Sequence, residues 1–229
     1  MKSGTVQLDL NSFKYDILPN GARYTLQDDF NAVSPDQGLG MSGNTGHLLV
    51  ATAGKRSKIR SGDADRNVHL SKTVKSPNGN RTSEVSGSHA DLSVSGDEDT
   101  VKMKGPVKIV DTDAAKHEVL VATGDSGTVW LTDQTEAKGS GLKEGALIGN
   151  VTVHVKQVAD KAGGQPGTLD ATGARMDYNN RQKPPTLRLQ GNVRLSGLSS
   201  GMTWNSSLGY AVLTLNDSGE VTNVSGGKS

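Results

Sequence analysis

Two glycine-containing strings in the sequence match motifs that carry chemistry elsewhere. GLGMSG, residues 38–43, has the Gly-x-Gly-x-x-Gly spacing of a dinucleotide-binding turn, which follows a strand and opens a helix. GLSSG, residues 197–201, has the Gly-x-Ser-x-Gly spacing of a nucleophile elbow, which also needs a helix after it. SPDQ precedes the first string, and the strand-like MTWNSSLGYAVLTL follows the second. The sequence therefore predicts a mobile loop at the first string and a turn at the second.

The ionisable side chains form no catalytic or metal-binding pattern. No two histidines stand two or four residues apart, the spacings that seed a metal site, and His154 lies between two valines and is expected to point to solvent. Asp97, Glu98 and Asp99 cluster in a predicted turn, where we expect them to be solvated. The histidines are His47, His69, His89, His117 and His154. We therefore predict no enzyme activity, no metal and no cofactor.

Composition narrows the class of partner. The 229 residues include 29 glycines but only 33% apolar and 3% aromatic residues, so a thick helical core is not expected. A net charge of +1 provides no field to attract nucleic acid, and the few aromatics provide no base-stacking platform. There are no cysteines, and MKSGTVQLDL is not a signal peptide. If the protein works outside the cytosol, its export signal is expected to be missing from this sequence.

The stretch TLRLQGNVRL, residues 186–195, has the clearest strand pattern. Leu187, Leu189, Val193 and Leu195 fall on one face at period two, and polar residues fall on the other. Gly191 occupies the centre of the apolar face, where glycine marks a bend, a bulge or a close approach by another group. One such group is a ligand.

The strand pattern recurs as an internal repeat. Residues 85–109 align with residues 171–195 without a gap, matching Gly87 to Gly173 and Gly105 to Gly191. A looser third copy spans residues 122–155 and has a longer glycine-rich loop. Each unit reads as two strands joined by a polar turn.

The predicted fold class is all-β: a repetitive antiparallel β-roll, or open β-jelly roll, of two twisted sheets with an apolar interior. Residues 1–229 are expected to form a single domain, in which residues 1–60 follow the pattern least. VQLDL and RYTLQ look like strands, and SPDQGLGMSGNTG looks like a long loop. A generic β-sandwich with glycine turns remains the alternative.

The repeats resemble the OstA-like family, which includes the periplasmic lipopolysaccharide-transport proteins LptA and LptC. The resemblance rests on a Thr/Ser-Gly start, an Asp-aromatic or Asp-Leu pair and an apolar-x-Gly-x-Val-x-apolar strand, and it covers roughly residues 85–195. It implies an open roll whose interior shields the acyl chains of a lipid, in the periplasm or cell envelope. It also implies that units stack end to end through their terminal edge strands, with themselves or with other rolls of the family.

Under this resemblance the apolar strand faces form the lipid site, and three glycines on its floor leave room for an acyl chain. The expected lipid-binding residues are Val101, Met103, Gly105, Val107, Ile109, Leu147, Gly149, Val151, Val153, Leu187, Leu189, Gly191, Val193 and Leu195. The predicted function is a lipid-transport or bridge protein that carries lipopolysaccharide or a related amphipathic lipid between membranes. The alternative is a structural or adhesive β-repeat protein with a filled core and no ligand.

Overall fold

The computed structural model describes residues 5–54, 56–76, 79–96, 98–113, 118–132, 141–157, 167–199, 202–215 and 221–228. Regular structure in these residues consists of β-strands only, which confirms the all-β prediction. The strands are β1 Gln7–Leu18, β2 Gly21–Ser34, β3 Leu39–Gly43, β4 Thr45–Ala53, β5 Arg56–Ser76, β6 Gly79–Ser95, β7 Glu98–Asp113, β8 Glu118–Thr132, β9 Leu142–Gln157, β10 Gly167–Asn179, β11 Thr186–Ser199, β12 Met202–Leu215 and β13 Val221–Gly227. No helix long and apolar enough to span a membrane occurs in this part of the chain.

The strands form one antiparallel sheet in which almost every strand pairs with its neighbours in the chain. The exception is explained by β3 and β4, which act together as one strand interrupted at Asn44. β3 pairs with the second half of β2, and β4 pairs with its first half, while both also pair with β5. The sheet is thus a simple meander with β1 at one edge and β13 at the other.

The prediction that SPDQGLGMSGNTG forms a long loop is wrong. Most of this glycine-rich segment is β3 and the start of β4. Leu39 and Met41 are each 1% exposed, because they alternate with Gly40 and Ser42 and face the core. Short, glycine-rich strands of this kind carry little β-propensity of their own. Pairing with both β2 and β5 therefore determines this strand.

Each long strand is bent at its middle by a β-bulge, and the bulges align across the sheet. At this level of the sheet, strands with one unpaired residue alternate with strands that have two. Two residues opposite one is the pattern of a β-bulge, and bulges bend and twist a sheet. We call this line the crease. Its residues are Asn11, Asp28–Asp29, Arg66–Asn67, Ser88, Gly105–Pro106, Asp125, Gly149–Asn150, Ala174, Gly191–Asn192 and Gly209.

The crease folds the single sheet into two facing layers. Lys72 lies five residues beyond the crease on β5 and Asp99 six residues before it on β7, so about 35 Å of extended strand separates them. Their side chains nevertheless meet at 2.5 Å. This contact requires the two halves of the sheet to face each other, with the crease as the spine.

The side chains between the layers form one continuous apolar core that extends from Leu26 on β2 to Leu215 on β12. Opposite the crease the strand ends meet along a line that we call the mouth. Its first lip carries the ends of β1, β4, β6, β8, β10 and β12 and the starts of β2, β5, β7, β9, β11 and β13. Its second lip carries the start of β1, the ends of β2, β5, β7, β9 and β11 and the starts of β3, β6, β8, β10 and β12.

Candidate functional site

The three glycines predicted to line the interior are the bulge residues of β7, β9 and β11. Gly105, Gly149 and Gly191 have φ of 80°, 76° and 76°, a region that glycine adopts without the steric penalty of a Cβ. Asp28 and Arg66 occupy the equivalent positions on β2 and β5, both with φ of 57°. The repeat found in the sequence is therefore the repeat of the crease.

The predicted placement of these glycines on the floor of a groove is wrong. A Cβ on Gly105, Gly149 or Gly191 would clash with Ser88, Asp125 or Ala174 respectively, each of which is exposed on the outside of the crease. The glycines thus face the outer side of the bend. Their physical role is to permit the backbone conformation and close approach of the bulge, and they leave no space between the layers.

The other predicted lining residues do lie together between the layers. All eleven are at most 2% exposed and belong to the single core cluster. On β7, the part of the strand before the crease belongs to the first layer and contributes Val101 and Met103 to the interior. The part after the crease belongs to the second layer and contributes Val107 and Ile109. In this conformation the interior is packed with side chains and closed to water along these residues.

The mouth is closed by polar side chains in the middle of the roll. The Nζ of Lys72 on the second lip donates to Oδ2 of Asp99 on the first lip at 2.5 Å, and the two side chains are 0% and 1% exposed. Next to this pair, a Cβ on Gly141 of the first lip would lie 2.7 Å from Oγ of Ser83 on the second. The lips are therefore in direct contact at two neighbouring points.

A second set of polar contacts closes the mouth near β1. The buried side-chain amide of Gln37 accepts from the backbone N–H of Ile59 at 2.8 Å and donates to its carbonyl at 3.0 Å. The N–H of Val6 donates to Oγ of Ser57 at 2.8 Å. Both contacts join the second lip to the first. Each is made between a side chain and a backbone group, and neither is a backbone pair between two strands.

Buried polar groups continue along the second lip. Oδ1 of Asp111 accepts from Ser83 at 2.6 Å, and Oδ2 accepts from Nε of Arg81 at 2.9 Å. On the first lip the hydroxyl of Thr132 is buried without a hydrogen-bond partner among the described residues. The mouth thus has a polar lining, whereas the interior beneath it is apolar.

The buried polar side chains of the mouth were not predicted from the sequence, although the sequence contains a signal for them. Lys72 continues the inward series Val68, Leu70 and Val74, so it is a charge at a predicted core position. The expectation that Asp99 is solvated is wrong, because Asp99 extends the inward series of Val101 and is buried against Lys72. Asp97 lies outside the described residues.

The roll exposes apolar side chains at its β1 end. Phe13, Tyr15 and Ile17 pair with Leu26, Tyr24 and Ala22 and share the inward face of the first layer, yet they are 48%, 56% and 81% exposed. Phe13 and Tyr15 form a ring cluster with Tyr24, with centroids 6.1–6.3 Å apart. We call Phe13, Tyr15, Ile17 and Tyr24 the end patch. It is the interior surface of the roll, continued past the point where the opposite layer covers it.

The outer face of the sheet carries histidine–aspartate pairs between adjacent strands. His47 contacts Asp63 at 3.0 Å, His89 contacts Asp65 at 2.6 Å, and His154 contacts Asp170 at 2.6 Å. The hydrogen bond that His89 donates to the carboxylate of Asp65 is the main cause that raises the pKa of His89, partial burial opposes it, and the charge of Asp91 adds to it. His154 is 46% exposed, which confirms its predicted orientation. No cluster of three or more metal-binding side chains occurs in the described ranges.

The chain was compared with protein-family models, curated proteins and solved structures, and none of them matches it. The geometry of the interior, the mouth and the end patch is therefore the basis for assigning a function.

Proposed function

We propose that this protein is a lipid-binding roll of the OstA-like kind. It holds the acyl chains of lipopolysaccharide, or of a related amphipathic lipid, between its two layers and passes the lipid to a similar roll across the cell envelope. One observation carries the proposal: an apolar interior is enclosed by an open sheet whose lips meet only through side chains in the contacts described above. Such an interior is accessible without breaking the strand ladder.

The open topology distinguishes this roll from a closed barrel. β1 and β13 lie at opposite ends of the strand order, so the sheet does not close on itself. Opening a barrel would break a row of backbone hydrogen bonds, and each buried unpaired group costs about 1–3 kcal/mol. Separating the lips of this roll leaves the backbone pairs at the crease intact. The two layers can therefore move apart as rigid halves.

The energetics of acyl-chain burial are adequate for such a carrier. Burial of one methylene contributes about 0.8 kcal/mol, so a chain of about twelve carbons gains roughly 10 kcal/mol. This gain offsets the packing that is lost when core side chains of the first layer, such as Leu189, separate from those of the second layer, such as Leu195. No polar chemistry is needed to hold the chain.

The end patch supports an assembly of rolls. β1 is an edge strand along its whole length, and edge strands present unpaired N–H and C=O groups to a partner strand. The end patch adds an uncovered apolar surface next to that edge. We propose that the terminal strand of a second roll, either a copy of this chain or another OstA-like protein, pairs with β1 and covers the patch. A continuous apolar path between two rolls would result, as a bridge between membranes requires.

The test is lipid capture at a defined position. A photoreactive leucine analogue is placed at position 189, whose side chain is buried between the layers, and separately at position 188, which is exposed on the outer face. We expect crosslinking to lipopolysaccharide from position 189 and none from position 188. Equal labelling at both positions, or labelling at neither, would contradict the proposal.

The second candidate is a structural or adhesive roll without a ligand. The observation that favours it is the closed interior, in which the eleven predicted lining side chains pack at no more than 2% exposure. Such a core would exclude lipid at every concentration. Mass spectrometry of lipid extracted from the protein purified out of a lipid-containing lysate separates the two candidates, because only the carrier retains stoichiometric acyl chains.

A further inference from the structure

The contact between Lys72 and Asp99 joins the two lips of the mouth rather than two strands of one layer. Lys72 pairs with Leu39 and Ser83 in the second layer, and Asp99 pairs with Val94 and Leu131 in the first. Their ion pair at 2.5 Å is therefore broken whenever the layers separate. It lies at the boundary between the apolar interior and the solvent.

This pair occupies positions where apolar residues would stabilise the closed roll at least as well. Leu70 and Val74 flank Lys72 on the inward face, and Val101 follows Asp99. Replacing a buried ion pair by apolar side chains of similar volume is often neutral or stabilising, because two charges no longer have to be removed from water. Stability of the closed state alone thus does not account for a lysine and an aspartate here.

The open state accounts for them. When the lips separate, water reaches both ions and returns the hydration energy that burial removed. A leucine pair at the same place would instead expose apolar surface to water, which is unfavourable. The ion pair therefore lowers the free energy of the open roll relative to the closed roll, while its geometry still defines a single closed arrangement.

We propose that Lys72 and Asp99 form a latch, and that the roll opens sideways at this point by hinging about the crease. Where the latch admits a ligand, that ligand is the acyl chain of the proposed function, and this part of the inference rests on it. The opening itself does not, because it follows from the position of the ion pair across the mouth.

The chain offers a direct way to close the mouth covalently. It contains no cysteine, so an introduced pair forms the only disulfide. A Cβ on Gly141 would lie 3.8 Å from Cβ of Ser83, which is the mean separation in disulfides, and the bond would join the two lips next to the latch. The matched control is Thr123→Cys with Thr152→Cys, a cross-strand pair within the second layer whose hydroxyls are 2.6 Å apart.

The first experiment measures uptake of a fluorescent fatty acid, cis-parinaric acid, by the oxidised and reduced forms of each variant. We expect oxidised Ser83→Cys/Gly141→Cys to lose uptake and to regain it on reduction, whereas the control pair takes up the probe in both states. Unchanged uptake by the oxidised mouth variant would overturn sideways entry while leaving the lipid function intact. If no form binds the probe, the lipid function fails, and the second experiment decides the latch.

The second experiment measures opening without a ligand. Ser83 is 0% exposed, so a single cysteine at this position reacts with a thiol-alkylating reagent only when the mouth opens. In the Ser83→Cys background, the apolar pair Lys72→Met/Asp99→Leu is expected to slow alkylation about tenfold. The loss of the bond from Ser83 to Asp111 is common to both proteins and cancels. An equal or faster rate in the apolar-pair variant would overturn the latch.

Discussion

Gly191 on β11 and Ala174 on β10 are neighbours along the crease, and they approach so closely that a Cβ on Gly191 would lie 2.8 Å from the Cβ of Ala174. Gly191 also has a φ of 76°, which is unfavourable for any residue with a side chain. The bend of the roll at β11 therefore depends on a glycine for two separate reasons. The same two conditions, a positive φ and an outward neighbour, hold at Gly105 and Gly149.

Gly191→Ala is expected to destabilise the roll by more than the backbone term alone, which is about 1–2 kcal/mol. Gly54→Ala is the matched control, because Gly54 also has a positive φ of 63° but has no atom within 4 Å of its Cβ position. Urea denaturation of both variants separates backbone strain from crowding at the crease. Equal destabilisation of the two variants would show that Ala174 is not crowded.

The sequence predicted the crease without identifying it. The gap-free alignment of Gly105 with Gly191 located two of the bulges, because glycine adopts the positive φ of this bulge position without a steric penalty. The period-two pattern likewise predicted all eleven interior residues. Both features are local, since they depend on the strand in which they occur.

The mouth could not be predicted in this way. Lys72 and Asp99 lie on strands that are not neighbours, so their contact depends on how the whole sheet folds over. No pattern within β5 or β7 specifies that approach. β3 was not predicted for a related reason. It is a strand because it pairs with β2 and β5, and its glycine-rich sequence does not by itself favour a strand.

Leu189→Ala is expected to lower the free energy of unfolding by about 2–5 kcal/mol, because Leu189 is 0% exposed in the core between the layers. Arg188→Ala, on the outer face one residue away, is expected to change it by less than about 0.5 kcal/mol. Chemical denaturation measures both values. A small effect at position 189 would mean that its environment is loosely packed, as a preformed lipid cavity requires.

Two adjacent acidic residues on β7, Glu98 and Asp99, are expected to differ sharply in how much their neutralisation destabilises the protein. Asp99→Asn leaves the ammonium of Lys72 buried beside a neutral amide, and loss of one member of a buried pair costs about 3–5 kcal/mol. Glu98→Gln removes a partly exposed contact with Arg181 and is expected to cost less than about 1 kcal/mol. Thermal unfolding compares the two variants directly. Similar melting temperatures would mean that Asp99 is hydrated in solution.

The raised pKa of His89 predicts a pH-dependent contribution to stability. Because the folded protein binds the proton more tightly than the unfolded chain, the stabilisation is fully present below the ordinary pKa of 6.5 and is lost as the pH rises through the folded pKa. The pair with Asp65 is partly exposed, so the effect is at most about 1 kcal/mol. Urea denaturation at about pH 5.5 and about pH 8.5 should show that His89→Gln removes this contribution. Asp65→Asn should remove most of it, because Asp91 also raises the pKa of His89. If the double variant loses as much as both singles added together, the two residues act independently.

Ile17→Lys is expected to weaken assembly of rolls while leaving the fold intact. Ile17 is 81% exposed on the end patch, so a lysine there adds a charge without removing packing from the core, and stability should change by less than about 0.5 kcal/mol. In an assembled roll the same lysine would be buried against the apolar surface of its partner, which is strongly unfavourable. Lys14→Ser is the matched control, because Lys14 lies on the opposite face of β1. Sedimentation velocity should show a reduced assembled fraction for Ile17→Lys alone, and association equal to that of the parent protein would rule out the end patch as the contact between rolls.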